Sequence, residues 1–80
     1  MEEELMGFVT GNNNRQKLLT LLGSKGEMDV KQIAKFMHVI EPSVEKMVSE
    51  LEEKGLLSEN NGSYTLTEEG TAIERKIQNI

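Results

Sequence analysis

Hydrophobic residues recur along this chain first at helical and then at strand spacing. Val44, Met47, Val48 and Leu51 follow the i, i+3, i+4, i+7 order of an amphipathic helix. Pro42 suits the first helical position, where a missing N–H costs nothing. Gly55 suits a left-handed stop after Lys54, so the spacing predicts a helix from Pro42 to Lys54. Beyond it, Leu56–Asn60 and Ser63–Leu66 flank Asn61-Gly62, a hairpin signal because both central turn positions need φ > 0. A two-residue turn pairs Leu57 with Leu66 and Glu59 with Tyr64, all four on one face. The two leucines then lie over the helix.

Upstream, Asn12-Asn13-Asn14 offers N-caps for a helix carrying Leu18, Leu19, Leu21 and Leu22, which Gly23 is expected to end. Ser24–Glu27 reads as a turn, with Met28 as a single short strand beside the hairpin. Asp29 and Gln32 have the spacing of a capping box, and Val30, Ile33, Ala34 and Met37 form one apolar face behind it. The connection His38-Val39-Ile40-Glu41 to the next helix is tight enough for a helix-turn-helix. Downstream, Thr67 caps a last helix whose apolar stripe is Ala72, Ile73, Ile77 and Ile80. Gly70 weakens its first turn by roughly 1 kcal/mol relative to alanine, which suggests a close-packing role. Leu18, Leu22, Ile33, Val44, Val48, Leu51, Leu57 and Leu66 are the expected shared core.

Residues 1–11 read as an N-terminal arm and 12–80 as the folded domain. Glu2, Glu3 and Glu4 favour a helix start, while Gly7 and Gly11 limit its run. Phe8 and Val9 anchor the arm on the body or on a second subunit, unless it frays as a tail. At 80 residues the chain is one domain near the lower limit for an autonomous core. It has no cysteine, no apolar run of membrane length and an acidic N-terminus, so the expected location is the cytoplasm, with no membrane partner. A lone histidine, His38, and no nucleophile–base spacing point away from a metal site, a cofactor and enzymatic activity.

Charge is segregated. Nine basic and fourteen acidic residues give −5, yet residues 12–46 hold six basic against four acidic residues, +2. The remainder holds three against ten, −7.

Val44-x-x-Met47-Val48-x-x-Leu51-Glu52-Glu53-Lys54-Gly55-Leu56-Leu57 and Tyr64-x-Leu66-Thr67-x-x-Gly70 carry a resemblance covering about residues 12–75. The chain resembles winged helix-turn-helix transcriptional regulators of the MarR-like kind, shared with other small bacterial and archaeal repressors. That resemblance implies an α+β, mainly α fold: a three-helix core, a two- to three-stranded wing and a C-terminal helix. It implies double-stranded DNA as partner and a homodimer whose two recognition helices enter successive major grooves. The recognition helix would be Pro42–Lys54, presenting Pro42, Ser43, Glu45, Lys46 and Ser49, with Lys31 and Lys35 toward the backbone and Asn60 and Asn61 at the wing tip. Phe8, Val9, Ile73, Ile77 and Ile80 are the candidate dimer contacts; the same stripe could instead close the monomer core.

This sequence departs from the family pattern at several points. Lys46 stands where an arginine is frequent, His38 where a glycine is, and the wing lacks arginine and lysine. Between Glu41 and Lys54, five carboxylates face two lysines. A winged helix with an acidic docking face for a basic protein partner, and no DNA binding, is therefore the second reading.

Overall fold

A computed structural model describes residues 2–79. The elements run α1 (Glu2–Thr10), α2 (Asn13–Lys25), β1 (Met28–Asp29), α3 (Val30–Met37), α4 (Glu41–Glu53), β2 (Leu57–Asn60), β3 (Ser63–Leu66) and α5 (Glu68–Gln78). The hairpin closes in the expected register, Leu57 opposite Leu66 and Glu59 opposite Tyr64. Asn61 and Gly62 both take positive φ, 54° and 87°. The Gly62 N–H donates to Glu59 Oε2 at 2.6 Å, a side-chain clasp across the turn. β1 pairs antiparallel with β3, Met28 opposite Tyr64, giving the sheet order β1-β3-β2. The result is a mainly helical α+β winged helix with a three-stranded wing sheet.

Helix α4 ends in a paired set of backbone bonds. The Leu56 N–H donates to Leu51 O at 3.0 Å and the Gly55 N–H to Glu52 O at 2.9 Å, the two bonds of a Schellman motif. Gly55 supplies the required left-handed residue at φ 82°. The chain then turns directly into β2, and the far end of the hairpin is tied back to this point. The Thr67 N–H donates to Leu56 O at 3.1 Å, and the Thr67 hydroxyl donates to Gly55 O at 2.7 Å while accepting from the Gly70 N–H. Gly70 is where α5 crosses this knot: a Cβ there would stand 2.1 Å from Leu56 O.

The capping box at α3 is present in both directions, Gln32 N–H to Asp29 Oδ1 at 2.8 Å and Asp29 N–H to Gln32 Oε1 at 3.0 Å. Asn12 caps α2, accepting from the Asn14 and Arg15 N–H groups. Pro42 sits one place later than expected, because Glu41 is already helical.

One expectation needs correcting. Gly23 does not end α2, which runs on to Lys25 and stops at Gly26, φ 83°, whose N–H bonds Leu22 O. Gly23 instead admits the buried Glu74 of α5, whose Cδ would lie 2.9 Å from a Cβ at that position. Of the alternatives for the N-terminal arm, it packs on the body. Despite Gly7, residues 2–10 form one helix, packed on α2 and α5 and burying Val9 completely.

The core gathers Leu18, Leu22, Ile33, Val44, Val48, Leu51 and Leu57 as expected, with Leu66 partly buried against them and Leu19 and Leu56 fully inside. Ile73 and Ile77 belong to this same core, 2% and 8% exposed, while Ala72 is exposed. Val9, Ile73 and Ile77 therefore present little surface to a second copy: α1 and α2 cover the stripe from within. Phe8 is half-buried, and Ile80 lies outside the described residues.

Candidate nucleic-acid interface

The amphipathic spacing of α4 decides which side chains are available. With Val44, Met47, Val48 and Leu51 buried, the same helix turns Pro42, Ser43, Glu45, Lys46 and Ser49 to solvent. Lys31 and Lys35 are exposed on α3, as are Asn60 and Asn61 at the tip of the hairpin. α3 packs against α4, and α4 against β2. The exposed lysines of α3 and the outward face of α4 thus belong to two packed helices of one helix-turn-helix. The turn between them is held by His38 in the left-handed region, φ 60°, with its N–H bonded to Ala34 O. A glycine would adopt that conformation without the steric cost a histidine bears.

Arg15, one of the six basic residues within 12–46, is employed by the fold itself. Its guanidinium lies 3.9 Å from the centroid of the Phe8 ring, donates to Phe8 O at 3.0 Å and pairs with Glu50 Oε1 at 3.4 Å. It fastens α1 and α2 to α4, and its charge is taken up within the fold. Lys54 stands 5.2 Å from the same ring centroid, and Lys76 pairs with Glu2. Lys31, Lys35 and Lys46 remain as exposed cations on the helix-turn-helix.

Carboxylates adjoin this surface. Burial first, then the nearby charges of Glu52, Glu59 and Glu45, raise the Tyr64 phenol above its ordinary pKa. One carboxylate comes from the wing and two from α4, so the acidic residues of both elements converge around Tyr64.

Ile40 was passed over in the sequence as part of the connection. It begins α4 as its N-cap, with no side-chain cap bond, and is 68% exposed. The signal that could have revealed it was an aliphatic residue two places before Pro42, where a capping side chain is expected.

Residues 16–62 match the family described as iron-dependent repressor, N-terminal DNA-binding domain. That segment runs from α2 through the helix-turn-helix to the wing turn. Among solved structures, a MarR-family protein of Mycobacterium tuberculosis superposes with a TM-score of 0.81 at 18% identity, covering 98% of this chain and 60% of that one. The transcriptional repressor CouR, bound to p-coumaroyl-CoA, superposes with a TM-score of 0.76 at 22% identity, covering 84% of this chain and 50% of that one. The chain thus spans between half and three fifths of the length of these neighbours, and at such identities the likeness concerns the fold. Among curated proteins no significant match is found.

The family's description implies iron, and the residues here do not fit it. The sole histidine stands exposed in the helix-turn-helix turn, cysteine is absent, and no group of three or more His, Asp or Glu side chains converges as ligands among the described residues.

Proposed function

The chain belongs to the iron-dependent repressor N-terminal DNA-binding domain family, and from that premise we propose that it regulates transcription as a cytoplasmic homodimer occupying a pseudo-palindromic operator. It is a DNA-binding winged-helix domain; the dimer, the operator geometry and the contact residues are our reading. The observation that carries this reading is the division of α4 into a buried face and an outward face within the family-matched segment. Pro42, Ser43, Glu45, Lys46 and Ser49 would face base edges and the adjoining backbone, Lys31 and Lys35 the phosphates, and Asn60 and Asn61 the flanking groove. Two copies would place their recognition helices about 34–36 Å apart, one turn of DNA. No helix among the described residues is long and apolar enough to cross a membrane.

Affinity should be modest. Each neutralised phosphate contributes about −0.9 to the slope of log affinity against log salt, so three lysines predict a slope of about −3 per chain. A salt-titrated binding assay on random duplex DNA, with enrichment of the bound sequences, tests this directly. Lys46→Ala should weaken binding and flatten the slope by about one, while Lys76→Ala should leave both unchanged. Absence of duplex binding at low salt, with Lys46→Ala indistinguishable from the parent, overturns the reading. Sedimentation at micromolar concentration tests the dimer, and a strict monomer on and off DNA removes it.

A further inference from the structure

Three helices of this chain begin on a side chain that accepts a backbone N–H: Asn12 for α2, Asp29 for α3 and Thr67 for α5. α4 begins on Ile40, which has no such bond, and aliphatic residues rank among the poorest at this position. Among the described residues, Ile40 is also the more exposed of the two large apolar side chains at the surface, 68% against 53% for Phe36. The Phe36 ring already carries the Lys25 ammonium 5.3 Å from its centroid. At Ile40, then, a capping preference and a burial preference are broken together, on the one helix assigned to DNA. Departures from local rules gather where function is served.

The chemistry of the residue limits what it can read. Isoleucine neither donates nor accepts a hydrogen bond, and it directly precedes Glu41-Pro42-Ser43, the turn of α4 that leads into the major groove. Guanine, cytosine and adenine present donors and acceptors along that edge, and an aliphatic side chain against them leaves those groups without partners. Thymine alone presents a methyl group there. We propose that Ile40 is a specificity residue that packs on the C5-methyl of a thymine, so that each half-site of the operator carries a T·A pair at one fixed position. This rests on the DNA-binding reading above and adds to it the base being read.

Replacing thymine by uracil removes that methyl and nothing else, so the test uses the native protein. On an enriched duplex, thymines are exchanged for uracil one at a time. One position per half-site should lose about fourfold in affinity, the worth of burying one methyl-sized group. Ile40→Ser should bind the thymine and uracil duplexes equally at that position and lose the thymine from its enriched consensus. Its salt slope should stay that of the parent, since no charge has changed. Ile40→Ser should also melt at a higher temperature, because serine can accept the Ser43 N–H as a cap. A flat uracil scan on a duplex that does bind, or a scan unchanged in Ile40→Ser, overturns the role of Ile40 and leaves the DNA reading standing. Failure to bind any duplex at low salt overturns both.

Discussion

The two ends of α4 are built on opposite plans. The C-terminal end is locked: Gly55 reverses the chain, Leu56 is fully buried, and its carbonyl is bonded by Thr67 and abutted by Gly70. There the Gly55–Leu56 turn is bonded to Leu51 and Glu52 of α4 on one side and to Thr67, the N-cap of α5, on the other. The N-terminal end is open: Ile40 provides no cap, and Glu41, Pro42 and Ser43 are all exposed. One end fixes the helix against the wing and α5, and the other leaves its surface free for a partner. A recognition helix needs both, because base contacts demand a rigid scaffold beneath exposed side chains.

Substitutions of the packed residues that lock the C-terminal end should therefore cost stability, and those at the open end should change it little. The largest effect is expected for Leu51→Ala, at a fully buried position whose carbonyl accepts the Leu56 N–H. Emptying such a site costs about 2–5 kcal/mol, measurable by urea unfolding with an unchanged m-value. Gly70→Ala comes next. Alanine favours helix by about 1 kcal/mol over glycine, but its Cβ would stand 2.1 Å from the Leu56 carbonyl oxygen. Backbone cannot step aside cheaply, so a net loss of about 1–3 kcal/mol is expected. Gly55→Ala meets open space but keeps φ at 82°, for a cost of about 1–2 kcal/mol. At the open end, Pro42→Ala and Ser43→Ala should stay within about 0.5 kcal/mol of the parent. A Pro42→Ala loss as large as that of Gly70→Ala would erase the contrast.

What could be read from the sequence divides along a similar line. Features set by neighbours in the chain were legible: the Asn61-Gly62 turn and its register, the Asp29–Gln32 box and the stop at Gly55. Each depends on a few adjacent residues and a steric or hydrogen-bonding rule. Features set by distant segments were not. Gly23 has a helix breaker's composition, yet Glu74, fifty-one positions on, packs where a side chain would otherwise stand. The Ile73 and Ile77 stripe fits a subunit contact equally well until α1 is seen burying Val9 beside it. Arg15 adds one to the positive charge of residues 12–46, and only the fold brings Phe8 and Glu50 around it. For the candidate interface, helical periodicity was enough to divide the faces of α4. The weight of Ile40 depended on its being both N-cap and exposed.

The smallest predicted effect sharpens the comparison through charge alone. α4 carries Glu41 in its first turn and no basic residue in its last, where Glu50, Glu52 and Glu53 stand. The helix macrodipole stabilises a carboxylate at the N-terminal end and destabilises one at the C-terminal end. The same substitution should thus have opposite signs: Glu41→Gln should lower stability and Glu53→Gln should raise it. Both side chains are exposed, so the effects belong at the low end of the range, about 0.3 kcal/mol each at low ionic strength, and should fade at 1 M salt. Thermal melts of the two variants at low and high salt would measure the difference. On duplex DNA both variants should bind more tightly at low salt, since each removes a negative charge from the helix proposed to enter the groove. Opposite shifts in stability with a shared gain in DNA affinity would separate the part of this helix's charge that serves the fold from the part that meets phosphate. Stability shifts of the same sign, or shifts that persist in high salt, would show that local contacts rather than the dipole set the two ends apart.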